Sequence, residues 1–395
     1  MSVAAPDGFD DLCVRLEGLA LGLRGSSAQQ LASLEGLEQR RPRCSSALER
    51  CVAEGRWLPA WRIIGACARA WWIRGHGTEF RALVDAALAC DRAAGESPVP
   101  ALRGALQAGG ELDYARADYP RAAARLERAK HLASVEGGAL GVADAENWLG
   151  MVDRERGRLH AAGQHHERAL ARYAALGDAW GRAHATSNLG VVAYRRGSLD
   201  EAQRRHEQAL LERQSIDDLH GIASSLGNLA LLARVRGELE RAGLLYRESL
   251  AARERLGDAW GVAGSRLCLA AVAVELGQLA RATEALRAAF AGFVAVDDGL
   301  GLAECAELAA ELGLAAGEPE WAGRALVIAT ALRVKLGAAP AEAGLRARVR
   351  ARVGEGWPGW EEAPVGSVAA AREHLRELLA RSPGHAQRRG PAAGR

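Results

Sequence analysis

Lysine is almost missing from this 395-residue chain. Only Lys130 and Lys335 occur, so nearly all of the 51 basic residues are Arg, a bias that a GC-rich coding sequence accounts for. Against 49 acidic residues they leave a formal net charge of +2, with no basic cluster before the short tail. That balance argues against a nucleic-acid-binding face. Long apolar runs are also missing: none approaches the ~18 residues that span a bilayer. The N-terminus lacks the basic start and apolar run of a signal peptide, so the reading is of a cytoplasmic protein with no membrane partner. Seven cysteines (Cys13, Cys44, Cys51, Cys67, Cys90, Cys268, Cys305) show no C-x-x-C and no regular spacing. This pattern fits free thiols and excludes a disulfide framework.

Catalytic patterns are equally scarce. There is no Gly-x-Ser-x-Gly elbow and no Cys with a fixed His partner. His160, His165 and His166 are close in sequence, but none of them are four residues apart, the spacing that aligns two metal ligands on a helix. The carboxylate pairs Asp297-Asp298 and Glu361-Glu362 fall in expected loops and caps. The expectation is a protein without catalytic residues, metal or cofactor, and not an enzyme.

What the sequence does contain is repetition. Residues 97–336 divide into six windows of 40 residues. A Gly-x-Ala triplet recurs as Gly141/Ala143, Gly181/Ala183, Gly221/Ala223, Gly261/Ala263 and Gly301/Ala303. Turn glycines recur at Gly157, Gly197, Gly237, Gly277 and Gly317, and a small residue at Ala122, Ala162, Ala202, Ala242, Ala282 and Ala322. Each window holds two helices. In the window Gly177–Ile216, Gly177 stops one helix in the left-handed conformation, Asp178 caps the next, and Ser198 with Glu201 forms a capping box for the second. A glycine inside a helix costs about 1 kcal/mol against Ala, so Gly150, Gly190, Gly181 and Gly261 imply close approach of a neighbouring helix. His166 and His206 occupy a slot filled elsewhere by Leu126, Tyr246, Leu286 and Leu326, which marks them as packing residues.

Outside the array, residues 1–44 carry two helical pieces, Asp11–Leu23 and Ala28–Arg40. Residues 45–96 form a helical cap of three helices, Ser45–Ala53, Arg56–Arg74 and Glu79–Arg92, with Trp57, Trp61 and Trp72 on one buried face and Trp71 beside them. Residues 337–380, with Trp357 and Trp360, form a C-terminal helical cap, and 381–395 a disordered tail.

The helix-turn-helix with Leu189, Gly190, Ala202 and Ala209 resembles the tetratricopeptide repeat, in a 40-residue variant. Thr186, Leu226 and Arg266 stand where that family expects an early aromatic, and Gly-Asp replaces the closing proline. The resemblance implies an all-α, right-handed superhelical solenoid of antiparallel helix pairs with helical N- and C-terminal caps. A wider resemblance rests on Ala70-Trp71-Trp72-Ile73-Arg74-Gly75-His76, the Leu-Gly-Asp repeat ends and Gly301-Leu302-Ala303-Glu304-Cys305. These look like the C-terminal sensor region of actinobacterial STAND-type transcriptional regulators. The ATPase of that family is absent from this chain, because neither lysine has the Gly-Lys-Ser/Thr context of a phosphate loop, and no recognition helix is apparent.

In such repeats the first helix of each pair lines the concave surface. Alignment on Gly150, Gly190 and Ala230 then assigns Asn147, Trp148, Arg154, His184, Asn188, Tyr194, Arg195, Asn228 and Arg234 to that surface. Asn can donate to and accept from a peptide backbone, and Arg offers a fork to carboxylates. The expected partner is a protein or peptide segment of acidic character, held by a non-catalytic scaffold in regulation of transcription or signalling. Two alternatives stand beside it: a sensor of a small molecule or signalling peptide, and an accessory protein of a biosynthetic enzyme system.

Overall fold

The computed structural model describes residues 9–77, 79–89, 99–336, 338, 343–354, 357–360 and 367–381, and every regular element among them is helical. Cys90, Glu361-Glu362 and the tail beyond Arg381 lie outside the described residues. Four helices precede the array: α1 (Phe9–Gly22), α2 (Ser27–Glu54), α3 (Trp57–Ile73) and α4 (Arg81–Ala89). Twelve follow at a twenty-residue step. These are α5 (Val99–Ala115), α6 (Tyr119–Val135), α7 (Ala139–Glu155), α8 (Leu159–Leu176), α9 (Ala179–Arg195), α10 (Leu199–Ser215), α11 (Leu219–Val235), α12 (Leu239–Leu256), α13 (Ala259–Glu275), α14 (Leu279–Ala295), α15 (Gly299–Ala315) and α16 (Pro319–Lys335). Two more, α17 (Ala343–Val353) and α18 (Val368–Ala380), end the described chain. The fold is all-α and built of consecutive helix pairs at a constant 40-residue period.

Local chemistry explains the period. Gly157, Gly197, Gly237, Gly277 and Gly317 all lie at φ between 71° and 80°, the left-handed conformation that ends a helix without a Cβ penalty. Gly177 takes the same conformation at φ 68°, and the Asp178 side chain accepts from the Gly181 N–H, as the sequence predicts. Asp217 and Asp297 hold the equivalent left-handed position with φ 53° each, where Gly137, Gly177 and Gly257 stand in other windows. Two expectations fail. Ser198 makes no side-chain cap bond, and Glu201 pairs with Arg204 and Arg205. The break expected between Arg40 and Ser45 does not exist: α2 runs through Pro42, which removes a backbone bond at a cost of about 3 kcal/mol. Burial of Leu34, Leu37, Cys44, Leu48 and Cys51 along one face offsets it.

The interior glycines do mark close approaches. A Cβ on Gly181 would lie 2.2 Å from the Tyr173 ring, and one on Gly301 would lie 2.3 Å from that of Phe293. All six of Ala122, Ala162, Ala202, Ala242, Ala282 and Ala322 are fully buried.

The chain divides into two compact units. The first comprises Met1–Leu232 with Ala251–Asp258, the second Ala233–Leu250 with Ala259–Arg395. In the first, α1–α5 share one core, and Leu219, Ala223, Ala252 and Leu256 belong to it. Trp61, which donates Nε1–H to the Ala87 carbonyl at 2.9 Å, and Trp71, stacked on Phe80 at 3.8 Å, are the buried tryptophans of α3. Trp57 and Trp72 are only half-buried, so the expected Trp57/Trp61/Trp72 face is corrected to Trp61/Trp71. In the second unit, α13–α18 share a core that includes Phe290, Phe293, Leu312, Trp321, Leu345 and Leu375. There Arg287 reaches the last carbonyls of α18, Leu379 at 2.6 and 2.8 Å and Ala380 at 3.1 Å, a cation closing a helix C-terminus. Among the described residues no helix is long and apolar enough to cross a membrane.

Candidate functional site

Eight of the nine residues assigned to the first-helix surface lie in the first unit, on α7, α9 and α11. Arg234 lies in the second, where its Nε is 3.4 Å from Glu275 Oε1.

The asparagines face one another along the array. Asn188 Nδ2 donates to Asn147 Oδ1 at 3.0 Å, and His166 Nδ1 approaches the same oxygen at 2.9 Å. An amide oxygen only accepts, so Nδ1 carries the His166 proton. Forty residues on, Asn228 Nδ2 is 3.5 Å from Ser187 Oγ and 3.5 Å from His206 Nδ1. Both imidazoles are buried, and Cβ atoms on Gly150 and Gly190 would meet them at 2.6 and 2.8 Å. Burial, with Arg154 and His165 nearby, lowers the His166 pKa to about 3; burial, with Arg213, lowers that of His206 to about 4. Asn147 is buried and bonded within the repeats, whereas Asn188 and Asn228 remain half-buried.

The arginines divide. Arg154, expected to offer a free fork, is buried and committed: its Nη2 donates to the Tyr114 hydroxyl at 2.7 Å and pairs with Glu155 at 2.7 Å. Burial opposes its charge, but Tyr114 and Glu155 hold its pKa above the ordinary value. Trp148 stands edge-on to Tyr114 at 5.5 Å, half-buried. Arg195 is exposed and reaches Glu155 Oε2 at 3.2 Å, a contact worth ~0–1 kcal/mol in water. Tyr194 packs beside Ala193 and Leu232 and keeps part of its surface open. The side chains left available on this face are therefore Trp148, Asn188, Tyr194, Arg195 and Asn228.

His184 belongs to a different group. Its ring lies 4.0 Å from that of Trp180, which carries the Arg24 guanidinium 4.3 Å from its centroid and that of Arg69 at 4.5 Å. Arg24 comes from the turn between α1 and α2 and Arg69 from α3, so the N-terminal helices meet the first turns of α7, α9 and α11 here. Arg24 Nη2 donates to Asp144 Oδ1 at 2.7 Å, and that oxygen also accepts from the Tyr173 hydroxyl at 2.7 Å. Gln30 Nε2 donates to Asp218 Oδ1 at 2.7 Å, and its Oε1 accepts from the His220 N–H at 3.1 Å. Sequence reasoning missed Arg24, Arg69, Asp144, Trp180 and His220. One signal was available: from α7 on, the second residue of each first helix reads Leu140, Trp180, His220, Trp260 and Leu300, so its chemistry changes in mid-array.

Among the described residues, no group of three or more His, Cys, Asp and Glu side chains is placed to hold a metal ion. The described thiols are all free.

Comparison with known proteins fits this geometry. Residues 141–210 and 181–255 match the model of the tetratricopeptide repeat. A Rap protein complexed with Competence and Sporulation Factor is similar in fold, with a TM-score of 0.59 at 10% identity over 95% of this chain and 99% of that one. A STAND protein with a tetratricopeptide-repeat sensor from Pyrococcus horikoshii gives 0.49 at 14% identity, over 95% of this chain and 55% of that one. The apo form of the quorum sensor NprR from B. thuringiensis gives 0.47 at 14% identity, over 95% of each chain. No curated protein sequence matches. The chain carries tetratricopeptide repeats, matched over residues 141–255 and continued on either side at the same helical period.

Proposed function

We propose that this chain is a non-catalytic scaffold that holds a protein or peptide segment against the first helices of α7–α12, in regulation of transcription or signalling. The observation that carries this reading is the set of open or partly open side chains on consecutive first helices, Trp148, Asn188 and Asn228 at one register with Arg195 two turns beyond Asn188. Half-buried amides whose own contacts are few or long can exchange them for a peptide backbone. The Rap protein of like fold holds Competence and Sporulation Factor, which supports the same use here. Arg195 is the exposed cation on this face, held only by its solvent-exposed pair with Glu155, whereas Arg154 is buried and internally paired. The acidic preference therefore rests on Arg195.

An array of eight-residue peptides graded in acidic content tests this. Wild-type protein should bind a subset rich in Asp and Glu, and Asn188→Ala/Asn228→Ala and Arg195→Glu should each reduce that binding at least tenfold while the helical circular dichroism is retained. Equal binding by all three proteins would sink the assignment of this face.

A further inference from the structure

Several polar groups at the meeting of α3 with α9 and α11 have no hydrogen-bond partner among the described residues. Arg69 Nε, Trp180 Nε1, His184 Nε2 and His220 Nδ1 are buried nitrogens in this state. A buried donor without a partner costs about 1–3 kcal/mol, so a concentration of them in one place calls for an explanation. Asp218 and Glu111 attract Arg69 from a distance, but no carboxylate among the described residues pairs with it. Arg24 is occupied by Asp144 at 2.7 Å and Asp178 at 3.7 Å. Asp218 gives Oδ1 to Gln30 and to the Gly221 N–H, and its Oδ2 stands 4.0 Å from His184 Nε2, beyond hydrogen-bond reach. Burial pushes the Glu111 carboxyl up to about 7, so it is no firm counter-ion at neutral pH. Arg69 is itself held below its ordinary pKa, because burial outweighs the attraction of Asp218 and Glu111.

The four nitrogens are covered, but the rim of the cluster is open to solvent. Arg24 retains 29% of its side-chain surface and His184 21%, and Arg69 and Trp180 are likewise only part-covered. Outer atoms of these residues therefore form an open rim over covered, strongly desolvated nitrogens. Its lining is an indole with two guanidinium groups within 4.5 Å of the ring centroid, one neutralised and one without a hydrogen bond among the described residues.

We propose that this cluster, framed by Arg24, Arg69, Trp180 and His184, is a binding site for a single carboxylate group. The Arg69 fork meets its two oxygens, and the neutral imidazole of His184 and the indole N–H border it. Arg69, which has no hydrogen bond or ion pair among the described residues, suits a single negative charge. A phosphate dianion would bring a second charge toward Asp144, Asp178 and Asp218. Asn188, Asn228 and Arg195 take no part, so this site stands or falls separately from the face proposed above.

The test uses the full chain with 15N-labelled tryptophan, the Trp180 indole signal being identified with Trp180→Phe. Acetate, added at constant ionic strength against chloride, should shift that signal saturably. N-acetyl-alanyl-alanine with a free carboxylate should do the same if a chain terminus can enter, and its amide should not. Arg69→Gln should weaken acetate binding at least tenfold, and Arg69→Lys, which keeps the charge and loses the fork, should give an intermediate value. A response equal to that of chloride, an unchanged affinity in Arg69→Gln, or tighter binding of inorganic phosphate than of acetate would overturn the proposal. The wild-type titration alone decides the matter if either Arg69 variant melts at a lower temperature.

Discussion

Ser27 Oγ donates to Asp217 Oδ1 at 2.6 Å across 190 residues of chain. The Ser27 backbone N–H adds a bond to Oδ2 at 3.0 Å, so Asp217 serves as an acceptor at the start of α2 while ending α10 in the left-handed conformation. These bonds from the Ser27 side chain and backbone hold the Asp217 carboxyl below its usual pKa. A glycine here would relax the backbone and release α2. Asp217→Gly should therefore speed amide exchange in the first turn of α2 and leave α9 unchanged. Unaltered exchange at Gln29–Leu31 would show that this contact does not hold the helix in place.

Gly150→Ala and Gly190→Ala should each destabilise the protein by about 1–3 kcal/mol, because the added methyl enters the buried imidazole beneath it. Combining Gly150→Ala with His166→Ala should recover part of the loss in urea melts. A Gly150→Ala protein as stable as wild type would mean that helix contact is not the reason for the glycine.

Acid should weaken the fold through its buried histidines. Burial lowers the pKa of His166 and His220 to about 3 and that of His206 to about 4, with Arg69, Arg154 and Arg213 among the cations that add to the effect. An imidazole with a depressed folded pKa binds fewer protons in the folded state than in the unfolded one between its two pKa values. Stability from these groups is therefore present above about 6.5 and declines as pH falls toward 3–4. Urea midpoints should drop from pH 7 to pH 5, and the drop should be smaller for His206→Leu. An identical drop in that variant would remove His206 from the account.

Glu111 should act in the opposite sense. Its carboxyl is raised from 4.5 to about 7 by burial, the Gln107 bond and Arg69 lowering it only in part. The folded state then holds a proton that the unfolded state has lost, and stability falls as pH rises from 4.5 through 7. Glu111→Gln should raise the melting temperature at pH 8 and leave it nearly unchanged at pH 4. A gain of equal size at both values would argue against a titrating carboxyl.

The helices were legible because their signals are local. Left-handed turn glycines, the Asp178 cap and the 40-residue spacing of Ala122 and its equivalents depend on neighbours within one or two turns, and the structure repeats them window by window. Local rules misled where distant burial was stronger. Pro42 did not stop α2, since Leu34, Leu37 and Leu48 on one face outweigh one missing bond.

The site was legible only in part, because period and register indicate which residues share a face but not which of them find partners. Arg154 and Arg195 look alike in sequence, yet Tyr114 and Glu155 bury the first and leave the second open. Arg24 and Arg69 carried no signal at all, since they meet Trp180 only when chain segments more than a hundred residues apart pack together. The sequence by itself determined the all-α repeat architecture, through backbone conformations and small-residue contacts that each window specifies for itself. Only the tertiary structure decided which charges are satisfied, because pairing and desolvation depend on neighbours that the linear order does not contain.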